Sequence, residues 1–466
     1  MRKIYITLLL SCFVTSFSQN KQLLYNFTAI PQSLMTNPGA DVKYKYYFGV
    51  PLLSGISVQA GSSGFSAYDL FANNGIDFNT KLRNVVYNAS RNDILTINEQ
   101  IELFSGGFKL GDWMKNKGYI SFGMYQEFDF VSYVPKDIAI LALDGNQNYL
   151  GRPFNLGDLS LKTEMVSVLH VGYHKNVSDK LILGARAKIY SSPFNATSTK
   201  NSGYVLTTPG ATTFYDQVIY SDMQLNTSGI SKYIAKGYEG DAAADFQKKA
   251  LFGGDLGLGL DLGFTYYPQK NKQLTASIVD LGFVSHSKDV QSFRYKGVYQ
   301  YKGINPNFNG ITTPENVYQE FNEAIPLDTL YNKYTTLRPI KINASYQYSF
   351  NDDRGGEDCS CTTNESAYKT AVGAQLFMMS VPRAPLMALT GYVKHRLING
   401  LDLKATYTVD SFSAKNIGLG MAINAGKFNM YVLADNLLEY RDLSKANSLS
   451  FQFGFNFVFK DSNDPP

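Results

Sequence analysis

The side chains able to do chemistry are few. Four histidines occur, His170, His174, His286 and His395. His170 and His174 are four apart, which would pair them on a helix. They fall in a stretch with strand periodicity, where they share a face but stand about 13 Å apart, too far for one metal ion. No histidine sits with a serine and an acid in a nucleophile motif, and no G-x-S-x-G occurs. The glycines in Gly254-Asp255-Leu256-Gly257-Leu258-Gly259 lie mostly two apart, which suits strand packing and not a phosphate loop. Cys359 and Cys361 have no histidine nearby, so zinc is not expected. In an oxidising compartment they either bridge locally or remain loop thiols. The expectation is a protein without catalytic residues, metal or cofactor.

Charge is the more informative chemistry. Arg186 and Lys188 share the polar face of one strand. Lys394, Arg396, Asp402 and Lys404 come from two neighbouring strands around a short turn. Inward charges of this kind strengthen a wall by pairing, or else contact a solute or anchor a plug. Asp280, Asp410 and Asp435 each fall near a strand exit. There an aspartate caps a turn through backbone N–H groups, with cation or partner binding at the rim as the alternative.

The elements that position these residues are strands. The run Ser448–Phe459 alternates five phenylalanines (Phe451, Phe453, Phe455, Phe457, Phe459) with Ser450, Gln452, Gly454 and Asn456. Period two puts all five rings on one face, which cannot face water. Similar alternation recurs at 254–267, 401–410 and 415–424, each with one apolar face and one polar or glycine face. Fourteen strands are expected: 54–65, 99–110, 118–130, 159–174, 180–192, 254–267, 272–284, 336–350, 366–379, 384–397, 401–410, 415–424, 427–435 and 448–459. The connections between them alternate short and long, as in transmembrane barrels. Counting 43–50 and 290–301 as wall strands would give sixteen. Helices are expected in the long connections at 241–251, 136–143 and from Pro314 to Ala324, with Thr313 as cap.

Composition agrees. Charged residues are 18% and aromatics 14%, with 33 Tyr and 31 Phe among 466 residues. The net charge of +4 points to no nucleic-acid partner. Arg2 and Lys3, the apolar run to Val14 and Ser16-Phe17-Ser18 read as a secretory signal cleaved near Ser18. Beyond it no apolar run reaches the ~18 residues of a membrane helix. Lipid then admits only a closed barrel. The expected organisation is a signal peptide at 1–18, a plug-like segment at 19–53, an antiparallel transmembrane barrel at 54–459 and a tail at 460–466, in a Gram-negative outer membrane.

The ends of the chain carry a resemblance. Pro31-Gln32-Ser33-Leu34, Asn37-Pro38-Gly39 and Tyr46-Tyr47-Phe48-Gly49-Val50-Pro51 resemble the start of a Bacteroidota outer-membrane barrel family of unknown function. Asp435-Asn436-Leu437-Leu438 and the final phenylalanine strand fit the same family. That family looks related to the PorP/SprF-type barrels of gliding and type IX secretion. More remotely it is similar to FadL-type hydrophobic-solute channels, whose plug carries Asn-Pro-Ala where this chain has Asn37-Pro38-Gly39. The first relation implies a surface component that binds a secreted or surface protein, and the second a channel for a hydrophobic small molecule. Outer-membrane lipid is the partner under either.

Overall fold

In the computed structural model, residues 21–42, 44–111, 118–210, 214–234, 241, 244–245, 248–301, 314–352, 368–410 and 412–459 are described. Cys359 and Cys361, the signal peptide and the tail lie outside them.

Fourteen antiparallel wall strands close on themselves. They are β1 (Tyr46–Gly49 with Ile56–Ser62), β2 (Ile94–Leu110), β3 (Gly118–Tyr133), β4 (Leu161–Ser178), β5 (Leu181–Ser198), β6 (Asp255–Gln269) and β7 (Lys272–His286). They continue with β8 (Tyr334–Leu337 with Lys341–Asp352), β9 (Tyr368–Met379), β10 (Leu386–Ile398), β11 (Leu401–Asp410), β12 (Asn416–Ala425), β13 (Phe428–Asp435) and β14 (Ser448–Phe459). Each pairs with its neighbours in sequence, and β14 pairs back onto β1, Tyr46 opposite Phe459 and Ile56 opposite Phe453.

The alternation of β14 explains its place. Every even-numbered residue from Ser448 to Val458 is buried, while the five phenylalanines are half-buried or exposed on the outward face. The same outward face carries Leu256, Leu258, Leu260 and Leu262 on β6. An apolar girdle around a closed wall with a polar interior is the arrangement that lipid requires. No helix among the described residues is long and apolar enough to cross a membrane.

The fourteen-strand count holds over the sixteen-strand alternative, and the boundary of the plug needs correction. The first wall strand begins at Tyr46, inside the stretch assigned to the plug, because Tyr46–Gly49 pairs with both β2 and β14. Residues 50–55 then bulge outward, exposing Leu52 and Leu53. So the aromatic stretch 43–50 contributes the lower half of one strand and not an additional one. The run Val290–Tyr301 is a strand outside the wall, paired along its length with Tyr215–Ser228. That sheet also takes in Ser202–Pro209, Phe154–Asn155 and Leu327–Leu330. It joins the wall where Asn195–Thr197 of β5 meets residues 226–228. Tyr215–Ser228 is intermediate in exposure through most of its length, so it lacks the one-sided apolar signal that marks wall strands.

Helices occupy the long-loop end. The chain forms α1 (Ala67–Phe71), α2 (Phe78–Asn88), α3 (Lys136–Asp144) and α4 (Pro314–Ala324), the last two where the sequence placed them. Asp77 caps α2 by accepting from the Asn79 and Thr80 amides. Val86, Ile140 and Phe154 then form a small core beneath these helices.

Residues 21–42 fill the opposite end of the lumen. Leu23, Leu24, Phe27 and Ile30 pack on Ala422, Tyr431 and Leu433 of the wall. Leu34, Ala40 and Tyr44 pack on Tyr47, Tyr119 and Val458. Pro31 opens a single 3-10 turn to Met35, with its fixed φ at the first position. A charge on the outward face of β14 should be costly: Phe453→Arg is expected to destabilise the barrel by about 2–4 kcal/mol, read as a shifted unfolding midpoint in denaturant.

Candidate functional site

The site is the seam where the plug meets the inward charges. Three wall cations hold plug backbone carbonyls. Lys404 Nζ donates to the carbonyls of Gln22, Leu23 and Tyr25 at 3.1, 3.1 and 2.6 Å. Lys394 Nζ donates to the Asn26 carbonyl at 2.9 Å. Arg186 Nη2 donates to those of Leu34 and Met35 at 2.8 and 3.0 Å. These plug residues sit in turns, whose carbonyls have few partners of their own, so a buried ammonium satisfies several at once. Of the six expected lumen charges, Arg186, Lys188, Lys394 and Lys404 point inward to structural partners. Arg396 and Asp402 pair with each other at 3.3 Å near the short turn and stay partly exposed.

Asn37-Pro38-Gly39 presses against the wall. Asn37 Nδ2 donates to the Phe264 carbonyl at 3.2 Å, and Thr265 Oγ1 donates to the Gly39 carbonyl at 2.8 Å. The contact is close because three glycines meet. A Cβ on Gly39 would lie 2.5 Å from the Gly263 carbonyl oxygen, and one on Gly184 would lie 2.2 Å from the Pro38 oxygen. Even alanine is excluded there unless backbone moves.

Above the plug runs a ladder of alternating buried charges. Arg186 Nε and Lys188 Nζ both bind Asp261 Oδ2, at 2.8 and 2.9 Å. Lys188 also binds Asp280 Oδ1 at 2.6 Å, and Asp280 Oδ2 binds Lys341 at 3.1 Å. Lys341 binds Glu127 at 2.9 Å, and Glu127 binds Arg338 at 2.8 Å. Arg338, wholly buried, also meets Asp129 at 3.1 Å and Glu164 at 3.0 Å. Asp280 corrects the sequence reading. It is no rim cap. A bulge between β6 and β7 gives it φ of +64° and turns its carboxylate into the lumen. Its backbone N–H donates to Asp261 Oδ1 at 2.7 Å. Asp410 does cap its turn, accepting from the Phe412 and Ser413 amides and from Asn416. Asp435 is buried at the end of β13, with one carboxylate oxygen unpartnered.

Sequence reasoning missed Arg338, Lys341, Glu127 and Glu164. Arg338 sits in the break of β8, where no alternation marks a face. Glu127 and Glu164 lie on strands whose inner faces could have been read for carboxylates, and that signal was available.

The long-loop end carries a second ionic set. Asp137 binds Arg91 and Arg152 at 2.7 and 2.8 Å. Arg383 stacks 4.5 Å from the Tyr133 ring centre and donates to the Asp158 carbonyl at 2.6 Å. Burial raises the Asp158 carboxyl above its usual range, opposed by Arg91 and Arg383. His170 and His174 are buried in the lumen beside Tyr125 and Tyr119 respectively. No group of metal-ligating side chains occurs among the described residues.

Two substitutions test this site. Lys404→Met should leave the barrel folded but loosen the plug, raising thiol labelling of a cysteine placed at Leu23. Arg338→Ala leaves three carboxylates facing one another and should cost about 3–5 kcal/mol in unfolding free energy.

The solved structure of the P. putida toluene transporter TodX is similar, with a TM-score of 0.39 at 10% identity, covering 96% of each chain. A Pseudomonas aeruginosa FadL homologue has a TM-score of 0.43 at 9% identity, covering 96% of this chain and all of that one. No curated protein matches. A family model of unknown function, DUF5723, matches residues 38–435, from within the plug to the end of β13, and the chain belongs to that family.

Proposed function

We propose that this protein is an outer-membrane barrel that anchors and displays an interaction surface at the cell exterior, within an assembly of the type IX secretion or gliding kind. The observation that carries the reading is the occupied lumen. The plug is bonded to wall cations at one end, and the Arg91–Asp137–Arg152 set ties the long loops together at the other. Between them lies a small cavity of about 30 Å³, lined by Lys21, Lys188, Lys341, Glu127 and Asp280. What the barrel offers outward is the ordered sheet of Val290–Tyr301 and its neighbours, with Tyr204 and Val298 exposed. A secreted or surface protein is the partner in this reading.

A second reading is passive transport of a hydrophobic solute. The break in β1 favours it, because Leu52 and Leu53 leave the wall beside the plug. That reading requires the plug to move.

The test is photo-crosslinking in intact cells with a photoreactive residue at Val298 or at Tyr204. One discrete protein adduct, the same from both positions, is expected. Absence of any adduct, together with solute uptake by the purified protein in liposomes, would overturn the proposal.

A further inference from the structure

We infer that the long-loop rim over β11 to β14 binds the phosphate-bearing headgroup of an outer-leaflet lipid, through Lys415 and Arg441. This goes beyond both readings of function, because the wall meets lipid under either.

The apolar girdle does not end with the strands here. Its upper row includes Tyr407 and Ile417, paired across β11 and β12 and both exposed. The connection from β13 to β14 is bonded to that row, the Leu437 N–H donating to the Ile417 carbonyl at 2.8 Å. Tyr440 Oη then donates to the Ser450 carbonyl of β14 at 3.1 Å. Held in this way, the connection leaves Leu438, Tyr440 and Leu443 exposed. Lys445 lies 4.5 Å from the ring centre of Tyr68 in α1, and α1 and α2 expose Phe71 and Phe78, whose rings stack. An apolar patch of this kind marks a contact surface. Its continuity with the girdle makes lipid the contact.

Charge says which part of the lipid is held. Lys415 lies two residues before Ile417, so it shares the outward parity of β12, and it is exposed. Tyr407 Oη donates to the Ala414 carbonyl at 2.7 Å, which fixes the turn that carries Lys415. Arg441 is exposed in the connection that Leu437 ties to Ile417. Neither cation forms an ion pair with a described residue, whereas Lys445 in the same connection holds Asp442 at 3.2 Å. Elsewhere at this end Arg152 and Arg294 hold Asp137 and Asp222, each at 2.8 Å. Two unmatched cations thus stand beyond an apolar row, with tyrosine side chains beside them. Acyl chain, interface and phosphate follow in that order across a lipid leaflet. A guanidinium also takes two phosphate oxygens at once. A soluble phosphate would answer the cations and leave the apolar patch uncovered.

The experiment is native mass spectrometry of the intact protein released from nanodiscs of phosphatidylcholine mixed with phosphatidylglycerol. Preferential retention of phosphatidylglycerol is expected. The double variant Lys415→Gln, Arg441→Gln should lose that preference roughly thirtyfold, as two cations near an anionic surface imply. Both side chains are exposed, so the fold is kept. Lys296→Gln, at an exposed cation elsewhere, should leave the preference intact. With the single tryptophan removed by Trp113→Phe, the fluorescence of Leu443→Trp should be quenched by lipid brominated on its acyl chains. Equal retention of the two lipids, a preference kept in the double variant, an equal loss in Lys296→Gln, or an unquenched Leu443→Trp signal would overturn the inference. So would displacement of the lipid by inorganic phosphate, which would make a soluble anion the ligand.

Discussion

The structure depends on one constraint: inside a closed wall, each buried polar group must find its partner within the barrel. Water cannot be supplied freely to a lumen filled by side chains and plug, so unpaired charge there would cost several kcal/mol. The ladder from Arg186 to Glu164 is the response. Asp261, Asp280 and Glu127 each lie between two cations, as Asp280 does between Lys188 and Lys341. Such pairs add little net stability over an apolar filling, but removing one member is expensive. The ladder therefore fixes register and contents more than it strengthens the fold.

The plug follows from the same rule. Its turns leave carbonyls without ladder partners, and Lys404, Lys394 and Arg186 reach across to them. Its apolar side chains fill the space left by small wall residues such as Gly418, Gly420 and Ala422. Glycines at 39, 184 and 263 then let backbone approach backbone. Plug and wall form one packed interior. The sheet beyond β5 extends the wall's own pairing through Asn195–Thr197.

Much of this was legible in the chain. Alternation is local, and each strand of about ten residues declares its faces without help from its neighbours. Ser448–Phe459 is the clearest case: five rings at period two, all outward in the folded protein. The number of wall strands followed from counting such runs. The inward direction of Arg186, Lys188, Lys394 and Lys404 followed from their parity.

The tertiary structure decided what parity cannot reach. Whether Arg186 strengthens the wall or holds the plug depends on residues about 150 positions away, and it does both. Asp280 looked like a rim cap because its bulge, one residue out of phase with β6, is invisible in a single strand. Arg338 had no face to declare, since it sits in the gap of a broken strand, yet it gathers three carboxylates. Sequence thus fixes faces, because side-chain direction alternates with the backbone. Only closure of the wall fixes partners, because those are set by register across strands far apart in the chain.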